Sequence, residues 1–367
     1  MRILHILRSV PFGGAQKMAL ELAREQVSSG HEIRILVTGR ERAGAERLLE
    51  ACEGFMVDFA PGHPLAQLRS ARQVLADFAP EVVHLHLAPS WLAAVFGSKR
   101  DFALVAHLHT RPSLQIYPPN WKRRLHSALD RMLLSRCDAL LAVSDWAAQA
   151  WRREHSGFDP VTVHNGVRMP VLEADALERS SGRPFTVGIA LRLSERKGLD
   201  EFLEIAGAVH RRDPDIRFAV AGDGPLASHY HAKAEQMGLA KAVSFEGFVS
   251  EIGDFWRKVD LGAFTSSVDT FGLSMVEPVS YGRPVVAYRT GTGSDEVIDL
   301  CRGVTAVPYE EAEEAADAIL RLRDEAELRA RMATDGIADC QTHFSIQTMS
   351  RRVEDIYTQL LSRREAA

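Results

Sequence analysis

The chain has 367 residues, 46% of them hydrophobic and 25% charged, with a formal net charge of −5. That length supports two domains, each with its own core, and the acidic balance argues against a nucleic-acid partner. Four isolated cysteines (Cys52, Cys137, Cys301, Cys340) match neither a zinc site nor a disulfide framework, and no run reaches the ~18–20 apolar residues of a membrane span.

The opening run MRILHILRSV is broken by His5 and Arg8 and does not read as a signal peptide, so a cytoplasmic location is expected. Strands are predicted at Arg2–Leu7, Glu32–Val37, Phe55–Ala60, Glu81–Leu87, Ala103–His109, Ala139–Ser144 and Val161–His164. Between the first two, Ala15, Met18, Ala19, Leu22 and Ala23 keep one helical face, and Gly30 ends the helix. Such alternation predicts a parallel sheet with helices on both faces. The apolar rhythm lapses over a linker at 169–183. It resumes with strands at Phe185–Ala190, Arg217–Ala221, Val243–Phe245, Leu261–Thr265 and Pro284–Tyr288. Helices are expected at Glu310–Arg323, Ala326–Cys340 and Ser345–Ser362. The expected architecture is α/β: two Rossmann-like, doubly wound domains facing across a cleft. The domains are 1–168 and 184–344, with the last helix (about 345–367) returning to the first.

Several stretches carry chemistry. Pro11-Phe12-Gly13-Gly14 sits between the first strand and its helix, where glycines allow close backbone approach and a helix start favours an anion, although an ordinary turn needs the same residues. In Leu191–Gly198 (LRLSERKG), Arg192 and Lys197 flank a loop at the mouth of the second sheet, and two cations there suit a diphosphate as well as solvent. Ala221–Ala227 (AGDGPLA) imitates a dinucleotide fingerprint but follows the wrong strand. Asp269 and Glu277 bracket Phe271-Gly272-Leu273, the expected first turn of a helix. On that helix Glu277 shares a stripe with Leu273, Val276 and Ser280, which predicts a buried carboxylate needing a partner such as a ligand hydroxyl. His84 with His86, and His107 with His109, pair up on strand faces. A four-histidine metal site competes with the reading that His109 alone faces ligand. Asp213-Pro214-Asp215 looks like turn chemistry. Trp121-Lys122-Arg123-Arg124 leads an amphipathic segment suited to an anionic membrane surface or to covering a sheet.

Taken together, FGGAQKMALELAREQVSSGHEIRIL, EVVHLHLAP, VSDWAAQ, VHNGV, LRLSERKG, AGDGP, VSFEGFV and DTFGLSMVEPVSYGRPVVA resemble the family 4 retaining glycosyltransferases, which have the GT-B fold. The resemblance implies a nucleotide-sugar donor, held mostly by the second domain, and a saccharide or lipid-linked acceptor, in metal-independent chemistry without a cofactor. It implies that Arg192 and Lys197 bind the diphosphate, that Glu277 binds the ribose hydroxyls, and that Phe271, Gly272 and Leu273 offer backbone N–H groups to the sugar or phosphate. Phe248 would meet the base, Gly14 the diphosphate, and His109 the donor sugar. Asp269 stands at the first position of the family's E-x7-E pattern, one methylene shorter than Glu. Gln16 and Leu191 depart from the residues usual at their positions. A nucleotide-sugar epimerase or hydrolase of the same fold, and an inactive donor-binding subunit, are the alternative readings.

Overall fold

Strand pairing is parallel throughout the described residues of the computed structural model. The structure describes residues 1–366 except 9–13, 39–45, 61, 87–91, 93–95, 97–99, 112–127, 129 and 173–181. Pro11, Phe12 and Gly13, the segment beginning Trp121-Lys122-Arg123-Arg124 and most of the linker therefore lie outside the described residues. The chain divides into one unit of 1–166 with 346–367 and another of 167–345.

The first unit carries β1 (Arg2–Arg8), β2 (Glu32–Thr38), β3 (Met56–Ala60), β4 (Val82–His86), β5 (Ala103–Leu108), β6 (Ala139–Ala142) and β7 (Val161–Thr162), in the order β3-β2-β1-β4-β5-β6-β7. Its central strands β1, β4 and β5 are buried on both faces, as parallel strands covered by helices must be. One face (Leu4, Ile6, Leu36, Val83, Leu85, Leu104, Ala106) joins a core with Ala71, Val74 and Phe78 of the helix Pro64–Phe78. The helix Asp145–Glu154 in the VSDWAAQ stretch starts because Ser144 accepts the Ala147 N–H at 3.1 Å. Asp145 in its first turn and Arg152 and Arg153 in its last complement the helix dipole. The C-terminal helix Ile346–Glu365 packs on the helix Gly14–Ser28, and its Val353 and Tyr357 are fully buried.

The second unit carries β8 (Thr186–Ala190), β9 (Arg217–Ala221), β10 (Val243–Gly247), β11 (Leu261–Phe264), β12 (Val285–Arg289) and β13 (Val304–Pro308), in the order β10-β9-β8-β11-β12-β13. The sequence reading missed β13. It is an edge strand paired only with β12 and mostly not buried, so it lacks an apolar run, and its edge position tolerates Pro308. The order reverses between β8 and β11. In an open parallel sheet such a switch point splays the loops leaving the two strands and opens a crevice at their C-terminal ends. Those loops hold Leu191–Gly198 and Thr265–Gly272.

Candidate functional site

Glycines lock the loop after β8 in place. Gly222 has φ of 138°, and a Cβ there would lie 1.8 Å from the Leu191 carbonyl oxygen; one at Gly224 would lie 2.3 Å from that of Leu193. The close approach lets the Leu191 N–H donate to Ala221 O (3.0 Å) and the Leu193 N–H to Asp223 O (3.1 Å). AGDGP is thus a brace for LRLSERKG, which explains its glycines without a dinucleotide. Gly222→Ala should destabilise the second unit by about 3 kcal/mol or more, through a clash with backbone that cannot move aside. A urea midpoint within error of wild type would refute that.

On the other side, Gly198 (φ 86°) sits where a Cβ would be 2.2 Å from Thr265 backbone. Thr265 Oγ1 donates to Gly198 O at 2.6 Å, and Ser266 Oγ donates to Lys197 O at 3.2 Å. The two switch-point loops are therefore bolted together, and Lys197 is aimed by them. Its Nζ lies 3.2 Å from Asp269 Oδ2. Arg192 is exposed, and its side chain bonds to no described residue.

Asp269 has a structural duty the sequence only half revealed. Its Oδ1 accepts the N–H groups of Phe271 (3.1 Å) and Gly272 (3.0 Å). Two of the three N–H groups assigned to a ligand are thus already engaged; an aspartate that closes a turn on the N–H groups two and three residues ahead satisfies them locally. Leu273 and Ser274 begin the helix Leu273–Ser280, and their N–H groups meet no acceptor among the described residues. Gly272, at φ 93°, turns the chain into that helix. The Asp269 N–H donates to Thr292 Oγ1 at 3.4 Å. That loop is itself held by Asp295, which accepts from the N–H groups of Thr290 and Gly291 at 3.1 and 2.9 Å. Asp269→Ala should cost about 1 kcal/mol of stability or more, because it removes the acceptor of two hydrogen bonds each worth about 0.5–1.5 kcal/mol; chemical denaturation measures it, and an unchanged midpoint would contradict the turn-closing role.

Glu277 is half-buried, as is Leu273, whereas Met275, Val276, Pro278, Val279 and Ser280 are buried. The expected buried stripe through Leu273 and Glu277 is corrected: in a helix of only eight residues the core takes Met275, Val276 and Val279, leaving the flank of Leu273, Ser274 and Glu277 partly open. Phe248, just past β10, is 61% exposed. Asp213 and Asp215 form the expected turn, with the Asp215 N–H donating to Asp213 Oδ1 at 3.0 Å.

Gly14 and His109 belong to the first unit. Gly14 is exposed at the start of its helix. His109 is not alone: His5, His84, His86, His107 and His109 are all buried and stack at centroid distances of 4.1–5.7 Å. Strand register explains the cluster, since His5 pairs with His84 and His86 with His107 across β1, β4 and β5. His84 Nδ1 and the Tyr357 hydroxyl share a hydrogen bond at 2.5 Å, pinning the C-terminal helix to the sheet. Burial drives every ring toward neutrality, with His5 lowered to about 4 and His109 to about 3. His84, His86 and His107 are lowered well below 6.5, by burial and then by each other's charge. His5 escaped the sequence reading; a histidine between Leu4 and Ile6 inside an apolar strand was the available signal. Among the described residues no helix is long and apolar enough to cross a membrane.

These features fit what the chain resembles. The family described as glycosyl transferases group 1 matches residues 174–339, and glycosyltransferase family 4 matches residues 12–169. The alpha-D-kanosaminyltransferase of Streptomyces kanamyceticus is 24% identical over 337 residues, 85% of this chain and 86% of that protein. The lipopolysaccharide core biosynthesis mannosyltransferase LpsB of Rhizobium meliloti is 25% identical over 68% of this chain and 74% of its own. Among solved structures, Anabaena HepE in complex with UDP and glucose shares the fold with a TM-score of 0.75 at 19% identity, over 97% of this chain and 99% of that one. Two matches that tile 12–169 and 174–339, on two Rossmann-like units of the GT-B type, leave one assignment: the chain belongs to the family 4 glycosyltransferases.

Proposed function

We propose that this glycosyltransferase moves a sugar, with retention of anomeric configuration and without a metal ion, from a nucleotide-diphosphate sugar to a hydroxyl of a saccharide or lipid-linked acceptor. The reading is carried by one observation in the second unit. At the switch point, the loop carrying the exposed cation Arg192 and the aimed cation Lys197 adjoins the loop leading to a helix start whose Leu273 and Ser274 N–H groups meet no acceptor among the described residues. Two cations and a helix N-terminus suit a diphosphate. Glu277, one turn further and half-open, suits the paired hydroxyls of a ribose, which a carboxylate accepts together.

In this mechanism the acceptor hydroxyl attacks the anomeric carbon on the face the diphosphate leaves. The carbon–oxygen bond to the diphosphate breaks as the new glycosidic bond forms, and the acceptor proton passes to the departing phosphate oxygen. Arg192, Lys197 and the helix start stabilise the charge growing on that phosphate. No covalent carboxylate nucleophile is required: Asp269, the candidate by position, is occupied by two N–H groups and Lys197. One relative acts in lipopolysaccharide core biosynthesis by its name, which supports a role in bacterial surface polysaccharide or glycolipid synthesis.

A thermal-shift panel of UDP, GDP, ADP and their sugars tests the donor reading. The matching ligand at about 100 times its dissociation constant should add about 2.7 kcal/mol of stability. No shift with any of them would sink it. Anomeric couplings of the product report retention, and unchanged turnover in excess EDTA reports metal independence.

A further inference from the structure

The buried imidazoles are connected in one direction. Gln26 Oε1, on the helix Gly14–Ser28, lies 2.8 Å from His5 Nε2. His5 Nδ1 lies 3.0 Å from His86 Nε2, and His86 Nδ1 lies 3.3 Å from His109 Nε2. A neutral imidazole has one donor nitrogen and one acceptor nitrogen, so fixing one end of such a chain fixes every ring. The amide oxygen can only accept. His5 Nε2–H therefore donates to Gln26, His86 Nε2–H donates to His5 Nδ1, and His109 Nε2–H donates to His86 Nδ1. What remains on His109 is the lone pair of Nδ1, which bonds to no described residue and, unlike both nitrogens of His107, is not sealed from solvent. Reversing the Gln26 amide would reverse all three rings and turn His109 Nδ1 into a donor.

We propose that Gln26, His5 and His86 act as a tautomer lock that presents His109 Nδ1 as a hydrogen-bond acceptor, so that the group it recognises is a ligand hydroxyl and not a phosphate oxygen. That the hydroxyl belongs to the sugar substrate rests on the reading above; the lock itself rests on the three hydrogen bonds. Neutrality is built in, because a second proton on His5 or His86 would set two N–H groups against each other, and burial already lowers each of these rings. Gln26, His5 and His86 touch no reacting atom in this scheme and are positioning residues. Metal ligation by His5, His84 and His86, or by His86, His107 and His109, whose nitrogens lie within 4.8 Å of one another, is the competing use of these rings. A metal would take nitrogens of His5, His86 and His109 that the hydrogen bonds already engage, so the lock and a bound metal exclude each other.

Long-range proton–nitrogen correlation spectra of the full-length protein labelled with 15N-histidine read the tautomers without substrate. The expected result is His109 protonated at Nε2 with a bare Nδ1, as in His5 and His86. Gln26→Leu should mix the tautomers and raise the donor KM about five- to tenfold, what one lost hydrogen bond carries. Gln26→Glu, whose ionised carboxylate accepts where the amide oxygen did, should restore both. A wild-type His109 carrying its proton on Nδ1 would overturn the lock, as would stoichiometric zinc held by these rings or a Gln26→Leu protein with unchanged tautomers. If the tautomers are as expected but His109→Ala leaves the donor KM unaltered, the lock stands and the hydroxyl assignment is overturned.

Discussion

Lys197→Ala is expected to lower kcat by about 10²–10³ while barely changing stability. The size follows from removing one preorganised charge from the leaving group, worth about 2.7–4 kcal/mol in comparable sites. The small stability effect follows from exposure. Lys197 and Asp269 are 41% and 21% exposed, and ion pairs open to water contribute about 0–1 kcal/mol. For a domain of this size that is a shift of at most a few °C. The measurement is kcat beside Tm for Lys197→Ala, Asp269→Ala and the double variant. If Lys197 serves only Asp269, the two single variants will lose activity equally and the double variant no further. If Lys197 binds the diphosphate, its loss will dominate. Turnover near wild type in Lys197→Ala would sink the assignment.

The first unit should lose stability steeply below pH 6.5. An unfolded histidine titrates near 6.5, whereas burial lowers folded His5 to about 4 and His109 to about 3, and His84, His86 and His107 in the same direction. Above pH 6.5 both states are neutral and the full stability is present. As pH falls toward the folded values the unfolded chain takes up protons that the folded unit refuses, so unfolding is favoured. At pH 5.5 the loss is on the order of 1 kcal/mol per ring, so that five rings together approach the 5–15 kcal/mol that holds a whole domain together. In a Trp256→Phe variant every remaining tryptophan lies within residues 1–166, so its fluorescence follows the first unit alone. A denaturation midpoint constant from pH 8 to pH 5 would contradict the burial of these rings.

The two predictions draw on features that differ in how far they were legible beforehand. Arg192 and Lys197 were readable because loops at the ends of parallel strands are a local consequence of alternating elements. The histidine network was not, because His5 and His86 are 81 residues apart and meet only through the β1–β4 register. Gln26, a polar residue on the helix Gly14–Ser28 with no motif around it, is fully buried and bonded to His5.

Element order, the parallel character of both sheets, the family and, among the described residues, twelve of the thirteen strands are legible in the sequence, because periodicity and motif spacing are properties of short windows. Long-range packing sets which way Asp269 faces, which flank of the helix after Gly272 is buried, why AGDGP needs its glycines, and how five histidines share one apolar face. Each depends on a neighbour brought in by strand register or by a loop crossing the switch point, and a buried polar group takes its partner from whatever folding places beside it.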